Sequence, residues 1–524
     1  MKHWFLSFLF GLVFCLLAVR TAEAITDPLA VPNNRFGIHI LESQDLPAAA
    51  ALVNSNGDWG YITVVLRLND LNHDHWQQLF DEMRRRHLIP IVRLATVPEN
   101  SHWVKPKADD ADRMTEFLNS LNWVVANRYV ILFNEPNQAK EWGNDLKPQE
   151  YAVIARSFAE KLKAASADYF ILPAALDTAA ANTKETMPAA EYWRQMWLAD
   201  REVFTLFDGW NSHSYPNPGF SGPLSGSGLG TIRSFRAEIN FLTRYGLPAD
   251  LPVFITETGW HNTVPDLPEK YVTAFTQVFN SSRIVAVTPF VLNFPAAPFA
   301  QFSWLGTSHY DTVAHLPKTS GQPEQFYDSR IQTADLPDTL VDDSEYEFIV
   351  KFTNTGQSIW EPEKVSLSQA ESLWQTVEPG QTAEFQLKLK TGIGQPSVKL
   401  KLELQHQGQP FGESLEKTIQ VVAPPNLIVK AKLLLKQSVT ANDFTLAIYE
   451  TSGELKLKTT LAVNEGQSLG LRLHHLVPGR RYRLVLSKPK YFPRELIKNL
   501  DSSLTMAEFG RLWPNPIAYL RLRL

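Results

Sequence analysis

The feature that most constrains this chain is an alternation of strand-like and helix-like segments that repeats eight times between residues 34 and 326. Between the strand candidates, apolar residues recur three or four positions apart, as at Met114, Phe117 and Leu121, which is typical of amphipathic helices. Eight β-then-α units in about 290 residues predict an α/β fold, a (β/α)₈ TIM barrel. The strand candidates are residues 35–41, 61–68, 89–96, 129–133, 169–175, 207–212, 252–256 and 284–292.

A doubly wound sheet is the structural alternative. Such a sheet usually carries a glycine-rich turn after its first strand. Here the first strand candidate continues into Leu-Glu-Ser-Gln at residues 41–44, which contains no glycine. The barrel, assigned to residues 25–326, is therefore the preferred prediction.

The spacing of apolar residues changes after residue 327: they begin to alternate with polar residues, as in the segment 346–352. Period-two alternation between short turns predicts a β-sandwich over residues 327–423. Residues 423–425, Ala-Pro-Pro, are typical of a stiff linker. A second small all-β domain is predicted over residues 426–524.

The N-terminus has the pattern of a secretory signal peptide. Lys2 and His3 precede an apolar run over residues 4–19, and Ala-Glu-Ala follows at 22–24. Cleavage after Ala24 predicts a secreted or cell-surface protein; an uncleaved anchor helix is the alternative. Cys15, the one cysteine of the sequence, lies in this segment, so the mature chain is expected to have no disulfide and no cysteine-bound metal.

The charge of the chain is unevenly distributed. The net charge of −5 gives no case for binding nucleic acid. Residues 426–524, however, carry 16 Lys and Arg against 7 Asp and Glu. This basic domain could bind an anionic cell-surface polymer, or its charges could simply be solvated.

Two glutamates end strand candidates of the barrel. Glu135 follows the fourth strand and Glu257 follows the seventh. The carboxyl ends of barrel strands form the face that holds active sites. A single glutamate there is often a surface or helix-capping residue, but cleavage of a glycosidic bond needs two carboxyl groups. The pair therefore predicts a glycoside hydrolase.

The sequence around these glutamates resembles the clan A glycoside hydrolases, which are retaining (β/α)₈ enzymes. Asn134-Glu135-Pro136 is similar to their fourth-strand motif. The segment from Glu257 to Trp260 is similar to the nucleophile strand of family 17 β-1,3-glucanases, although most of the chain is not. The resemblance covers the barrel and implies that Glu135 is the acid/base, Glu257 the nucleophile and Asn134 a ligand of the sugar 2-hydroxyl.

The same resemblance implies further substrate-binding residues. The clan places an arginine near the nucleophile at the end of the second strand, where this chain has Arg67, and its charge would keep Glu257 ionised. His213 and Tyr215 follow the sixth strand, where the clan uses such residues to bind substrate and orient the nucleophile. His39 ends the first strand and is a further candidate.

Aromatic side chains would stack on sugar rings, and Trp260 and Trp304 are the chosen candidates, with Phe294 third. The alternative is that these large residues belong to the core. Arg93 is the weakest candidate for a residue of the active site.

Other chemistries find no support in the sequence. It has no H-E-x-x-H metal motif and no G-x-S-x-G nucleophile elbow. No metal and no cofactor is therefore predicted. Beyond the barrel, the segment 354–360 resembles immunoglobulin-like domains, and the segment 476–487 resembles transthyretin-like modules of bacterial surface proteins.

Together these features predict a secreted retaining β-glycoside hydrolase that acts on an extracellular or cell-surface polysaccharide or glycan by double displacement. One alternative is a carbohydrate-binding surface protein with a catalytically inactive barrel. Another is a scaffold whose basic C-terminal domain is the functional part.

Overall fold

The computed structural model describes residues 25–55, 57–368, 373–434, 439–474 and 476–516. The predicted signal peptide, residues 1–24, lies outside the described residues. The chain separates into two compact units, one ending at Phe326 and one beginning at Tyr327. Within the described ranges, no helix is both long enough and apolar enough to cross a membrane.

The first unit is built on eight parallel strands. Most of their residues are buried on both faces, as expected when helices cover a parallel sheet. Branched and aromatic side chains dominate them, as in the sequence Tyr-Ile-Thr-Val-Val-Leu of the second strand. The strands are β1 (Gly37–His39), β2 (Gly60–Arg67), β3 (Leu88–Ala95), β4 (Arg128–Leu132), β5 (Tyr169–Pro173), β6 (Trp210–His213), β7 (Val253–Glu257) and β8 (Ile284–Val287).

These strands close into a ring. Strands β1 to β5 pair in sequence order, as do β6 to β8. The two sheets join at one side because Val287 N donates to Arg35 O (2.9 Å) and His39 N donates to Pro289 O (3.1 Å). At the other side, Asp177 and His213 form a parallel bridge. The predicted (β/α)₈ barrel is confirmed.

Eight helices, counted over the described residues, follow the strands. In α2, Trp76, Phe80 and Met83 lie on one buried face, and the side chain of Asn72 caps the first turn by accepting from His75 N (3.2 Å). A π-helical segment, Ala274–Val278, continues α7. The helices are α1 (Leu46–Val53), α2 (His73–Arg85), α3 (Ala108–Ser120), α4 (Pro148–Ala165), α5 (Ala189–Ala199), α6 (Ser234–Leu242), α7 (Leu267–Thr273) and α8 (Ser308–Ala314).

The second unit consists of strands around two separate apolar cores. The first core lies between a three-stranded and a four-stranded sheet and contains Phe352 and Trp360. Asn354 stabilises the turn before Trp360, since its Nδ2 donates to Ser358 O (2.9 Å) and its Oδ1 accepts from Gly356 N (3.0 Å). The strands of this part are β9 (Ser329–Ala334), β10 (Thr339–Val341), β11 (Glu345–Asn354), β12 (Val365–Leu367), β13 (Thr382–Lys390), β14 (Ser397–His406) and β15 (Gln409–Val422).

The second core is covered by one eight-stranded sheet. Its inward positions alternate, as at Tyr482, Leu484 and Leu486, which are buried while their neighbours point outward. The strands are β16 (Asn426–Leu433), β17 (Ala441–Glu450), β18 (Leu455–Asn464), β19 (Gln467–Ser468), β20 (Leu471–Arg472), β21 (Arg480–Ser487), β22 (Arg494–Leu500) and β23 (Leu504–Leu512).

Candidate active site

Both glutamates face one cleft at the carboxyl ends of the barrel strands. Glu257 is the last residue of β7, and Glu135 lies three residues beyond β4. The turn after β4 has positive φ at Phe133 (74°) and at Glu135 (30°), a conformation that costs on the order of 1 kcal/mol or more for residues other than glycine. The cleft has a volume of about 550 Å³. A strained turn that presents a carboxylate to a cleft is typical of a functional position.

His213, the last residue of β6, lies between the two glutamates. Its Nδ1 is 2.8 Å from Glu135 Oε1 and 3.8 Å from Glu257 Oε2. One carboxyl oxygen of Glu135 lies within 4.8 Å of one carboxyl oxygen of Glu257. Three sequence candidates from three different strands therefore meet at one point.

Arg93 forms the ion pair of Glu257 that was expected of Arg67. Arg93 Nη1 donates to Glu257 Oε1 (2.8 Å) and to Asn134 Oδ1 (2.7 Å). Arg67 also lines the cleft, but it is exposed at the end of β2. The prediction that Arg67 pairs with Glu257 is therefore wrong: Arg93 lies two residues before the end of β3, inside the mouth of the barrel, whereas Arg67 lies on its rim.

Glu257 is held ionised. Burial alone would raise the pKa of its carboxyl group, but the charges of His213 and Arg93 together with a hydrogen bond from Tyr215 outweigh burial and lower that pKa. The Tyr215 hydroxyl donates to Glu257 Oε2 (3.0 Å), and burial raises the pKa of this phenol well above its usual range, so that it stays a donor. This environment is the one that a carboxylate nucleophile requires.

His213 responds to the same charges. Burial lowers its pKa, but Glu257 and Glu135 raise it, and the net direction is upward. The cluster of His213 and the two glutamates also has the spacing of a metal site. The guanidinium of Arg93, 2.8 Å from Glu257, would repel a divalent cation there.

Asn134 lies beside the glutamates as expected. It accepts from Arg93, and its Nδ2 donates to Glu141 Oε2 (3.2 Å). Burial, followed by the charge of Glu135, raises the pKa of Glu141. The amide of Asn134 is therefore fixed from both sides, with its side chain at the edge of the cleft.

The two tryptophans expected to stack on sugar do not line the cleft. Trp260 is 2% exposed and donates from Nε1 to Gly222 O (3.0 Å), and Trp304 is 1% exposed and packs on Tyr271 with ring centroids 4.4 Å apart. This prediction is wrong, because both rings fill the core around Tyr271. Phenylalanines, including the third candidate, line the cleft instead: Phe220, Phe290, Phe294, Phe299 and Phe302.

The prediction that His39 binds substrate is also wrong. It is fully buried below the cleft, with its ring 5.2 Å from that of Phe290. Burial, assisted by the charge of Arg93, lowers the pKa of His39 to about 3, so the ring is neutral. A neutral side chain without access to the cleft does not bind substrate.

Sequence reasoning missed several polar residues that line the cleft, among them Gln138, Glu141 and Asp177. Gln138 follows Glu135 by three residues, Glu141 by six, and Asp177 lies four residues beyond β5. The rule that identified the two glutamates, a polar residue just beyond a barrel strand, also applies to Asp177. Gln138 and Glu141 had no comparable signal, since they lie six and nine residues beyond the end of β4.

Residues 97–283 match the family model described as the glycosyl hydrolase catalytic core. The matched segment includes Glu135, His213 and Glu257. A comparison with curated proteins found no match. The match to the family model confirms the glycoside hydrolase resemblance inferred from the sequence.

Several solved structures are similar to the chain at a low level. An endo-β-1,4-mannanase from Thermotoga petrophila is 10% identical, with 76% of this chain and 100% of that chain covered and a TM-score of 0.36. An endo-β-1,4-glucanase from Xanthomonas axonopodis pv. citri is 14% identical, with 54% and 97% covered and a TM-score of 0.37. A glucosidase from Croceicoccus marinus is 9% identical, with 87% and 97% covered and a TM-score of 0.38.

Proposed function

We propose that this protein, a clan A type glycoside hydrolase by its barrel and its catalytic-core match, cleaves β-glycosides by double displacement with retention of configuration. The observation that supports this most is the separation of the glutamates, since one carboxyl oxygen of Glu135 lies within 4.8 Å of one carboxyl oxygen of Glu257. Retaining enzymes have carboxyl groups about 5–5.5 Å apart, whereas inverting enzymes need about 6.5–9.5 Å for an intervening water.

In the first step, Glu257 attacks the anomeric carbon and forms a covalent ester while the glycosidic C–O bond breaks. Glu135 gives its proton to the departing oxygen. In the second step, Glu135 takes a proton from water, the water oxygen attacks the anomeric carbon, and Glu257 leaves as a carboxylate. Arg93 and Tyr215, which both donate to Glu257, stabilise this carboxylate at the start and the end of the cycle.

The cleft suits a carbohydrate because it has two different walls. Polar side chains, among them Asn134, Lys140 and Asn217, offer hydrogen-bond partners for hydroxyl groups. Opposite them, the phenylalanines offer apolar surfaces against which the C–H groups of sugar rings pack. We propose a polysaccharide or glycan outside the cell as substrate.

A catalytically inactive, carbohydrate-binding barrel is the alternative. It gives no reason for a buried carboxylate that is ion-paired to Arg93 and hydrogen-bonded to Tyr215 beside a second carboxyl group. The test is turnover of a panel of polysaccharides and aryl β-glycosides by the full chain, with Glu257→Ala as the inactive control. Binding without turnover on every substrate would favour the alternative.

We also propose that the protein is exported by the predicted signal peptide and that its basic C-terminal part binds an anionic surface polymer. Phe492 and Trp513, 46% and 58% exposed, add an aromatic element to this surface and are neighbours, since Phe492 N donates to Trp513 O (2.9 Å). Cosedimentation of the full chain with cell envelopes should weaken with salt and in the Trp513→Ala variant. Binding that is insensitive to both changes would contradict this proposal.

A further inference from the structure

Glu135 makes a second contact on the side away from His213. Gln138 Nε2 donates to Glu135 Oε2 (2.7 Å), and the same nitrogen is 3.3 Å from Asp177 Oδ2. One amide thus bridges two carboxyl groups. Because His213 contacts the other oxygen of Glu135, the plane of this carboxyl group is fixed at both ends.

The position of Asp177 is itself tightly determined. Asn137, which is fully buried, accepts from Asp177 N (3.0 Å) and donates to the carbonyl oxygens of Asp177 and Met187 (both 2.9 Å). Asp177 Oδ1 accepts from Ala179 N (2.9 Å), which leaves Oδ2 directed at Gln138. The loop after β5 is therefore clamped to the loop after β4, with Asp177 at the contact.

A carboxylate at this place selects the orientation of the amide. The side chain of Gln138 has a donating and an accepting end, and only the donating end can contact Asp177 and Glu135 together. Without Asp177, the amide could rotate and turn its carbonyl oxygen toward Glu135, where it would repel the carboxylate.

We propose that Asp177, acting through Gln138, is a positioning residue for Glu135 in the delivery and recovery of the catalytic proton. This inference rests on the proposed function. It gives the loop after β5, through Asp177, a role in the reaction in addition to the roles of Glu135 and Glu257.

Glu135 is surrounded by charged groups from several elements. Glu257 on β7, His213 on β6 and Arg93 on β3 face it across the cleft, and Asp177, Glu141 and Lys140 come from the adjoining loops. Burial, followed by the charge of Glu135, raises the pKa of Asp177. Removing Asp177 is expected to change the orientation of Glu135, because the Gln138 amide then loses one of its two acceptors.

The test uses the full chain with Asp177→Asn and Gln138→Met, and two aryl β-glycosides of the same sugar. One has a good leaving group that needs no protonation, and the other has a poor one. General acid catalysis contributes about 10²–10⁴-fold, so partial misplacement of Glu135 should lower kcat/KM for the poor leaving group about 10-fold or more. The loss for the good leaving group should stay within about 3-fold, because protonation contributes little there.

Asp200→Asn is the matched control. Asp200 pairs with Arg156 (2.6 Å) away from the cleft. Any loss of kcat/KM in this variant, relative to the wild type, should therefore be the same for both glycosides. Equal losses for both substrates in Asp177→Asn and Gln138→Met, or no loss in either, would overturn the inference. If the wild-type chain turns over neither glycoside nor any polysaccharide of the panel, the proposed function fails with it.

Discussion

Arg93 and Glu257 form an ion pair of 2.8 Å in which both side chains are nearly buried, 12% and 11% exposed. Removing one partner of a buried pair leaves the other charge uncompensated, which typically costs about 3–5 kcal/mol. The pair joins β3 to β7 across the mouth of the barrel. Glu257 therefore depends on His213 of β6 and on Arg93 of β3 for its charge state.

Arg93→Ala should lower kcat/KM for an aryl β-glycoside by about 100-fold, because an oriented charged donor to a reacting group is typically worth that much. Arg67→Ala is the matched control at the rim of the same cleft, and its loss should stay below 10-fold. Steady-state kinetics of both variants measure this. A larger loss in Arg67→Ala than in Arg93→Ala would show that the ion pair is assigned to the wrong arginine.

The two tryptophans named as sugar-stacking candidates lie in the core, whereas phenylalanines line the cleft. Trp304→Ala should lower the free energy of unfolding by about 3–5 kcal/mol, as for other buried aromatic residues. Phe299, which is 39% exposed in the cleft, should behave differently. Phe299→Ala is expected to raise KM for polysaccharide several-fold and to leave the melting temperature nearly unchanged. An unchanged melting temperature in Trp304→Ala would contradict the burial of this ring.

The burial of His39 predicts a pH dependence of stability. Its pKa is about 3 in the folded chain and about 6.5 when unfolded, so between these values the unfolded state binds the extra proton. This contribution to stability is present above pH 6.5 and is lost as the pH falls toward 3.

Between pH 6.5 and 3, the free energy of unfolding should fall less steeply with decreasing pH in His39→Gln than in the wild type. The two slopes, measured by thermal unfolding, should differ by up to about 1.4 kcal/mol per pH unit. His315→Gln, at an exposed position, is the matched control and should follow the wild-type curve. Identical slopes for His39→Gln and the wild type would mean that His39 is protonated in the folded chain.

A chelator should leave turnover within about 2-fold, even though Glu135, His213 and Glu257 have the spacing of metal ligands. The reason is the positive charge of Arg93 beside Glu257, which opposes a divalent cation. Activity measured after treatment with EDTA and gel filtration tests this. A loss that added Zn²⁺ restores would identify a metal site in the cleft.

The barrel and its two glutamates were predictable because period, strand length and the strand-end rule depend on local sequence. Glu135, Glu257, His213 and Tyr215 all lie where that rule predicts. That Arg93 rather than Arg67 pairs with Glu257 was not predictable, because both arginines line the cleft and only their depth along the paired strands distinguishes them.

The burial of Trp260 had a different cause. The side chain of a tryptophan suits both a core and a sugar platform, and only the packing of Tyr271 against it decides between them. Asp177 could have been found by the same rule as the glutamates. Its connection to Glu135 could not, because that connection runs through Gln138 on another loop.

The central claim is that Glu135 and Glu257 act as acid/base and nucleophile of a retaining enzyme. The most direct measurement is the anomeric configuration of the first product, followed by ¹H NMR during hydrolysis of a β-glycoside by the wild-type chain. The proposed mechanism predicts that the β-anomer forms first and then mutarotates, because two displacements restore the original configuration. Initial appearance of the α-anomer would contradict it.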